Sequence, residues 1–370
     1  LKHLWYNGFT TIHTTSQKGA PSLMSIIPSN VVCPRCFSKN LYRFGKDLEG
    51  FQKYQCRMCR RQFAPDNPHT GLRQHRLYPV CPRCGKASFL HHDYTYYSNF
   101  RCSDKKCNHS FKVPKAVAIP RPSSHLGPET FTLKGMRHPL YIILAALNYY
   151  FCGNSTTRKV AYTLYMVHQV RISHVTISRW IKRFAPVFQQ ISSDFLLSAR
   201  LCDSDEWHFD ETYIKIQGEN YYLWIAIDSE TRLVLDFHLS KTRNSNAAHI
   251  LLSSCRNKFG QPSSAVVSDR YDAYLLPAKL FFPEADHIRV ESFEDRISNN
   301  IIEAFNNQFK AWYRPKRGFN SYDSANRLIA TYIFYYNFIR PHSSLNGLAP
   351  AQVAGAKYSD KQKNFWLLVA

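Results

Sequence analysis

Two aspartates interrupt apolar, strand-like runs of this chain, and their placement constrains the fold more than any other feature. Asp210 lies within WHFDETYIKI, and Asp269 closes the run SAVVSD. Burying an unpaired carboxylate is costly, so both positions need a compensating cation. Glu303 follows 34 positions after Asp269, on the polar side of a helical pattern. Three carboxylates around Mg²⁺ are suited to phosphodiester chemistry, although Glu303 alone would pass for a solvated surface residue.

The runs around these residues predict an order of strands and helices. WHFDETYIKI, YYLWIAID and RLVLDFHLS are rich in β-formers and separated by short turns, which predicts an antiparallel meander. A helical stretch, SNAAHILLSSCRNKF, precedes the strand SAVVSD and a mixed helical sequence. This order predicts an RNase H-like α/β catalytic core, with a mixed five-stranded sheet and flanking helices.

The remaining acids near these strands are interpreted differently. Glu211 is expected to point to the face opposite Asp210, because side chains alternate along a strand. Four further acids are expected in turns or on the surface, with Asp228 the most convincing competitor for a catalytic role: Asp205, Asp228, Asp236 and Asp272.

The helical pattern around Glu303 has two faces. The apolar stripe consists of Ile297, Ile301, Phe305, Phe309 and Trp312. The polar face consists of Arg296, Asn299, Asn300, Glu303, Asn307 and Lys310. A carboxylate flanked by amides and a lysine suits a metal ligand beside a phosphate backbone, so Lys310 is predicted to contact DNA.

Eight of the eleven cysteines form two sets of paired knuckles. The sets are Cys33, Cys36, Cys56 and Cys59, then Cys81, Cys84, Cys102 and Cys107. Four thiolates in two close pairs are the usual ligands of structural Zn²⁺, so we predict two small zinc ribbons with four cysteine ligands each. A disulfide framework is the alternative, and the lack of a recognisable secretory signal argues against it. The longer knuckle CSDKKC leaves His109 as a substitute ligand.

Positive charge is concentrated around these knuckles. The chain has 48 Lys and Arg against 26 Asp and Glu, a net +22, and residues 31–120 hold 17 basic and 5 acidic residues. Such charge attracts polyanions. The longest apolar stretch, residues 141–151, is shorter than the ~20 residues that a membrane span needs. Composition therefore favours a nucleic acid over a membrane as partner.

Two helical patterns follow a linker rich in proline and serine. The first begins near Thr156, while the second is capped by Ser173 and is expected to end at Pro186. The second helix is basic, which predicts a helix-turn-helix whose recognition helix enters the DNA major groove. A plain helical hairpin is the alternative. The predicted DNA contacts on this helix are Arg179, Lys182 and Arg183.

Several segments between about residues 140 and 355 are shared with one family. They are FDETYIKI, YYLWIAID, LDFHLSKTRNSNAA, VVSDRYDAY, NNIIEAFNNQFKAWYRPKRGF and YYNFIRPHSSLNGLAPAQ. In these the chain resembles DDE-type insertion-sequence transposases with an integrase-like core. The resemblance implies that Asp210, Asp269 and Glu303 form a catalytic triad that holds two Mg²⁺, or Mn²⁺. It also implies backbone contacts to DNA from Arg314, Lys316 and Arg317. The two zinc ions rest on cysteine spacing alone.

The predicted multidomain α/β organisation has seven parts. They are a disordered leader (1–30), two zinc ribbons (31–66 and 78–115), a linker (116–135), a helix-turn-helix domain (136–200), the catalytic core (201–315) and a helical tail (316–370).

The implied function is that of a DNA transposase. It would bind terminal repeats and target DNA and catalyse strand cleavage and strand transfer, as a homodimer or larger assembly. Its expected location is the prokaryotic cytoplasm, at the nucleoid. One alternative is a DNA-binding regulator or catalytically inactive derivative, which leaves the strand-placed acids unexplained. Another is a nuclease that hydrolyses DNA without joining it.

Overall fold

The computed structural model describes residues 27–67, 78–127, 135–196, 204–290 and 300–368. The predicted leader, 1–30, lies outside the described residues as far as residue 26. The chain divides into two compact units, Leu1–Pro79 and Val80–Ala370. Within the described ranges, no helix combines the length and apolar character needed to cross a membrane.

The first unit contains a small antiparallel sheet. Its only cluster of buried apolar side chains among the described residues is Cys33, Leu41 and Cys56. So small a core contributes little stability by itself, and the fold therefore depends on the cysteine cluster described below. The strands, in the order β1-β2-β3, are β1 (Leu41–Lys46), β2 (Gln52–Cys56) and β3 (Gln62–Phe63).

The second unit begins with a similar hairpin sheet, which is joined to the rest of the unit. All neighbouring strands in it are antiparallel. Tyr96, Tyr97 and Phe100 are buried on this sheet. The strands, in the order β4-β5-β6, are β4 (Ser88–Asp93), β5 (Tyr97–Cys102) and β6 (Ser110–Pro114).

Three helices follow, and the second and third begin as predicted, one near Thr156 and one capped by Ser173. The Thr156 side chain accepts a hydrogen bond from the amide of Lys159 at 3.3 Å, and Ser173 Oγ accepts one from Thr176 at 3.1 Å. Such caps satisfy amides that the first helical turn leaves unpaired. The helices are α1 (Leu140–Phe151), α2 (Thr157–His168) and α3 (His174–Leu196).

The prediction that Pro186 ends the second of the paired helices is wrong. Helix α3 continues to Leu196 with Pro186 inside it. Proline has no amide hydrogen to donate to the carbonyl four residues earlier, here that of Lys182. Arg327 donates its Nη1 hydrogen to this carbonyl at 3.4 Å. The continuation also places Phe188 against Phe334, with ring centroids 4.5 Å apart.

The mixed five-stranded sheet predicted from the strand pattern is present. Its order is β11-β10-β7-β8-β9, with β7, β8 and β9 antiparallel and β10 parallel to both its neighbours. The fifth strand and the helix before it occupy the stretch predicted only as mixed helical sequence. The elements are β7 (Glu206–Ile216), β8 (Glu219–Asp228), β9 (Val234–Ser240), α4 (Ser245–Phe259), β10 (Ala265–Asp269), α5 (Leu275–Phe281) and β11 (Asp286–Val290).

Four further α-helices lie within the described residues 300–368. The first of them buries Ile302, Phe305, Phe309 and Trp312. This matches the predicted stripe except that Ile302 replaces Ile301, which is half-buried, and Ile297 lies outside the described residues. The helices are α6 (Asn300–Tyr313), α7 (Tyr322–Phe334), α8 (Pro350–Val353) and α9 (Asp360–Asn364).

The C-terminal tail packs helices α1 to α3 onto the sheet. Trp366 is fully buried, and its ring lies 5.7 Å from that of Phe151 and 5.2 Å from that of Phe188. Its indole nitrogen donates a hydrogen bond to Asn148 Oδ1 at 2.9 Å. Helices α1 to α3, the sheet and the tail therefore share one hydrophobic core.

Candidate metal centres

The register of the sheet brings Asp210 and Asp269 together. Strand β10 pairs with β7 from Ala265 opposite Glu206 to Ser268 opposite Phe209. The last residue of β10, Asp269, therefore comes beside Asp210. Carboxylate oxygens of Asp210, Glu211 and Asp269 lie within 4.8 Å of one another. Oxygens gathered in this way are the ligands that hard divalent cations prefer.

The Asp210 carboxylate carries a charge that the fold leaves largely uncompensated. It is half-buried and accepts a hydrogen bond from Asn306 Nδ2 at 2.7 Å. Burial above all, and then the nearby charges of Glu211, Asp269 and Glu303, raise its pKa to about 7. A divalent cation would relieve this repulsion, so the donor set fits a metal ion.

Glu303 reaches this cluster from a different element. It lies in the first turn of α6 and is half-buried. Its carboxylate is outside the group gathered within 4.8 Å, but its charge contributes to the raised pKa of Asp210. The structure thus brings two of the three predicted carboxylates into contact range and places the third nearby.

Glu211 is the member of the cluster that the sequence reading left out. Asp210 meets α6 through Asn306, whereas Glu211 accepts a hydrogen bond from Tyr274 at 2.6 Å, beside α5. The two side chains therefore contact different helices, as strand alternation predicts. Only 2% of the Glu211 side chain is exposed, and Arg243 forms an ion pair with it.

Arg243 is a second group that the sequence reading missed. Its guanidinium pairs with Glu211, approaches Asp269 Oδ2 at 3.4 Å and lies 4.0 Å from the ring centroid of Tyr271. The side chain keeps 41% of its exposure. The sequence signal that could have identified Arg243 is a basic residue just before the cap of the predicted helix, in SKTRNSNAA.

Two other acids of the sheet have structural roles. The expectation that Asp228 is a turn or surface residue is wrong, because it is buried as the last residue of β8. It accepts hydrogen bonds from the amide and hydroxyl of Thr231 at 2.9 and 2.6 Å. The expectation that Asp236 is a turn or surface residue is wrong, because it is buried on β9. There it accepts from Ser254 at 2.5 Å and pairs with Lys258 at 2.8 Å. Its charge is thus already balanced.

The eight knuckle cysteines form two compact clusters. Within each cluster one thiol sulfur per residue lies within 4.8 Å of the others. Tetrahedral Zn²⁺ with bonds of about 2.3 Å separates its sulfur ligands by about 3.8 Å. The Sγ pairs agree: Cys33–Cys59 at 3.4 Å, Cys36–Cys56 at 3.5 Å, Cys81–Cys107 at 3.9 Å and Cys84–Cys102 at 3.5 Å.

Both cysteine clusters therefore fit zinc better than disulfides. All eight cysteines are free, so the disulfide alternative is not supported. Backbone amides of Arg35 and Asp104 point at the sulfurs of Cys33 and Cys102, each at 3.4 Å, as expected for thiolate acceptors. His109 is not in the cluster and instead stacks on Phe111.

The predicted DNA contacts fall into two groups. Arg179 and Arg183 are exposed on α3 and Lys182 is half-buried, while Arg314 and Arg317 are exposed after α6. Lys310 lies over the ring of Tyr213 at 5.2 Å.

Lys316 differs from its neighbours in this basic segment. Its ammonium lies 4.5 Å from the ring centroid of Tyr150 and 4.3 Å from that of Trp312. Burial lowers its pKa to about 7. The Lys316 side chain therefore packs against two aromatic rings instead of extending into solvent.

Comparison with known families matches two parts of the chain. Residues 204–342 match the family DDE_Tnp_IS240, described as a DDE domain, and residues 28–60 match the InsA N-terminal domain, a zinc ribbon. The first match contains the acidic cluster and runs past residue 315, the predicted end of the core. The second contains the first cysteine cluster.

Curated relatives point in the same direction. The chain is 29% identical over 163 residues to the transposase for the insertion sequence-like element IS431mec of Staphylococcus aureus, which covers 44% of this chain and 69% of that protein. The transposase of element IS257 in transposon Tn4003, also from Staphylococcus aureus, matches with the same identity and coverage. These matches support a DDE insertion-sequence transposase. DNA binding and metal-dependent catalysis are consistent with it.

More remote similarities are found among solved structures. The catalytic core domain of HTLV-2 integrase with magnesium, in its trimeric form, is 17% identical and aligns over 42% of this chain and 98% of that chain, with a TM-score of 0.29. The simian T-cell lymphotropic virus intasome with a PP2A regulatory subunit aligns over 42% of this chain and 56% of that chain, at 16% identity and a TM-score of 0.34.

Proposed function

We propose that this protein is a DNA transposase that cleaves the ends of an insertion sequence and joins them to target DNA. The observation that carries this proposal is the pair of carboxylates from Asp210 and Asp269, gathered at adjoining strand positions within a matching DDE domain. Glu303 is proposed as the third catalytic carboxylate, because its charge acts on Asp210 from helix α6.

The proposed cation is Mg²⁺, or Mn²⁺ in its place, bound by Asp210, Asp269 and Glu303. Bound there, divalent metal would activate water or a DNA 3′-hydroxyl and stabilise the leaving oxygen. The protein's own groups orient these ligands. Asn306 holds one oxygen of Asp210, and the amide of Tyr271 donates to Asp269 at 3.0 Å. Glu211 has both oxygens engaged and is not proposed as a ligand.

The proposed DNA contacts follow the exposed basic side chains. Helix α3 would enter the major groove with Arg179, Lys182 and Arg183, while Lys310, Arg314 and Arg317 would contact the backbone near the carboxylates. Terminal repeats and target DNA are the proposed partners, and the nucleoid the place of action. Joining two element ends requires two active sites, so we propose a homodimer or larger assembly.

The decisive experiment is a strand-transfer assay with Mg²⁺ and DNA carrying the element's terminal sequences. Joined products should appear with the wild-type chain and vanish with Asp269→Asn. The matched control is Asp272→Asn, which alters a carboxylate three positions away whose side chain is 79% exposed, and which should keep full activity. Salt-sensitive binding without cleavage would indicate a regulator, whereas cleavage without joining would indicate a nuclease.

A further inference from the structure

The second zinc ribbon is docked on the catalytic core at the first turn of helix α4. The Thr95 hydroxyl accepts a hydrogen bond from Asn246 Nδ2 at 3.0 Å, and the Tyr97 hydroxyl lies 3.3 Å from Ser245 Oγ. Both partners on the core side belong to the first turn of α4. The family match to a zinc ribbon covers only residues 28–60, so it assigns no role to this second ribbon.

Aromatic packing also holds the ribbon against helix α4. His249 is fully buried one turn further along α4, and its ring lies 5.4 Å from that of Tyr96 and 5.9 Å from that of Tyr97. Its other side meets Phe281 of α5 at 5.9 Å. Because Tyr96 and Tyr97 are themselves 7% and 5% exposed, this ribbon face is an interior surface of the protein.

The segment after the ribbon continues the contact with the core. The amide of Ser123 donates to His238 Nδ1 at 3.2 Å, and Ser123 Oγ accepts from the amide of Leu239 at 2.7 Å. Both partners lie on β9, the edge strand of the sheet. Covering an edge strand in this way protects its unpaired backbone groups and anchors the ribbon from its C-terminal side.

The docked turn of α4 leads directly to the acidic cluster. Arg243 precedes Asn244, the cap of α4, and its guanidinium contacts Glu211 and Asp269. The Tyr271 hydroxyl in turn donates to the Arg243 carbonyl. Arg243 offsets part of the negative charge of Glu211, whose carboxylate lies within 4.8 Å of those of Asp210 and Asp269. The position of Arg243 therefore affects how Asp210 and Asp269 can share a cation.

We propose that the second ribbon is a positioning element of the active site. Its zinc-held hairpin fixes the start of α4, α4 fixes Arg243, and Arg243 holds Glu211 and Asp269 in place for metal binding. This inference rests on the proposed function for the identity of the metal ligands. It concerns the second ribbon alone, which belongs to the same compact unit as the core.

Matched cysteine variants test this inference. Cys84→Ser and Cys36→Ser each alter an exposed knuckle cysteine, one in each ribbon. We expect Cys84→Ser to increase the hydrogen-exchange rates of the α4 amides at residues 247–252 by about tenfold. Mn²⁺ affinity, measured by calorimetry on the full-length chain, should fall by roughly threefold to tenfold. Cys36→Ser should change neither quantity.

A second pair of variants keeps both zinc sites intact. Thr95→Val with Tyr97→Phe removes the two polar contacts to α4, while Ser98→Ala removes a hydroxyl bonded to Asp93 within the ribbon. Zinc content should stay equal in both. Faster α4 exchange and weaker Mn²⁺ binding in the first variant alone support the inference.

The two proposals can fail separately. Unchanged α4 exchange in both Cys84→Ser and Thr95→Val/Tyr97→Phe overturns the positioning role, even if metal binding and strand transfer proceed. If the Asp269→Asn variant binds Mn²⁺ as tightly as the wild type, the proposed function is overturned instead, even where the ribbon variants lose hydrogen-exchange protection of the α4 amides. In that case the mechanical link between ribbon and helix would stand, and its effect on metal binding would be refuted.

Discussion

Replacing Asp210 by asparagine should stabilise the metal-free protein while abolishing its metal site. The pKa of Asp210 rises from its ordinary value of 3.8 to about 7, chiefly because the carboxylate is buried. At about 1.4 kcal/mol per pKa unit, the charged form costs the folded state roughly 4 kcal/mol. Asparagine is nearly isosteric and carries no charge, and its side-chain oxygen still accepts the hydrogen bond from Asn306.

The pH dependence of this gain follows from the direction of the pKa shift. Because the folded-state pKa is raised, the native protein holds a proton that the unfolded chain releases between about pH 4 and pH 7, so wild-type stability falls over that range. The advantage of Asp210→Asn should be largest above about pH 7. It should shrink as the pH decreases and vanish near pH 4, where wild-type Asp210 is protonated in both states.

Urea denaturation of protein dialysed free of Mg²⁺, with zinc retained, measures this effect. The matched control is Asp236→Asn, a second buried strand aspartate whose charge is balanced by Lys258. That substitution should lower the free energy of unfolding by roughly 1–3 kcal/mol. If Asp210→Asn destabilises the protein at pH 8 as the control does, then the charge at position 210 is already compensated and the reasoning is refuted. Added Mg²⁺ should stabilise only the wild-type and control proteins.

Two further predictions follow from the tail and the basic segment. Trp366→Ala should lower the free energy of unfolding by roughly 3–5 kcal/mol, because it removes a fully buried ring from the core that joins helices α1 to α3 to the sheet. Chemical denaturation measures the loss, and a change below about 1 kcal/mol would contradict it. Arg317→Ala should reduce the salt dependence of DNA binding by about one phosphate contact, whereas Lys316→Met should leave it unchanged. Equal changes in the two variants would show that Lys316 reaches DNA.

The patterns that depend on local sequence were predicted correctly. The helix start near Thr156, the cap at Ser173, the three antiparallel strands and the cysteine clusters each follow from residue type and spacing within about 30 positions. Pro186 was misjudged because the group that compensates for its missing hydrogen bond, Arg327, lies 141 positions later in the chain. A rule that considers only neighbouring residues has no access to such a partner.

The acids of the strands show more clearly how little neighbouring residues reveal about distant partners. Asp210 and Asp236 both stand in apolar strand-like runs, and in the structure Asp210 is half-buried and Asp236 is buried. One is balanced by a lysine from α4, and the other faces three further carboxylates. The sequence shows which strands carry acids, but the cation that neutralises each acid depends on which helix packs over that face.

The end of strand β10 explains how acids from both faces of β7 meet. Side-chain alternation sends Asp210 toward α6 and Glu211 toward α5. Backbone pairing between β10 and β7 ends at Ser268. Beyond that residue, no paired strand separates the two faces of the sheet. Asp269 occupies the opening, and both carboxylates reach it. Glu211, the extra acid beside this opening, must be neutralised before Asp210 and Asp269 can share a cation. Arg243 provides that charge, and the ribbon-bound helix that follows it ties the electrostatics of the cluster to an element more than a hundred residues away in the chain.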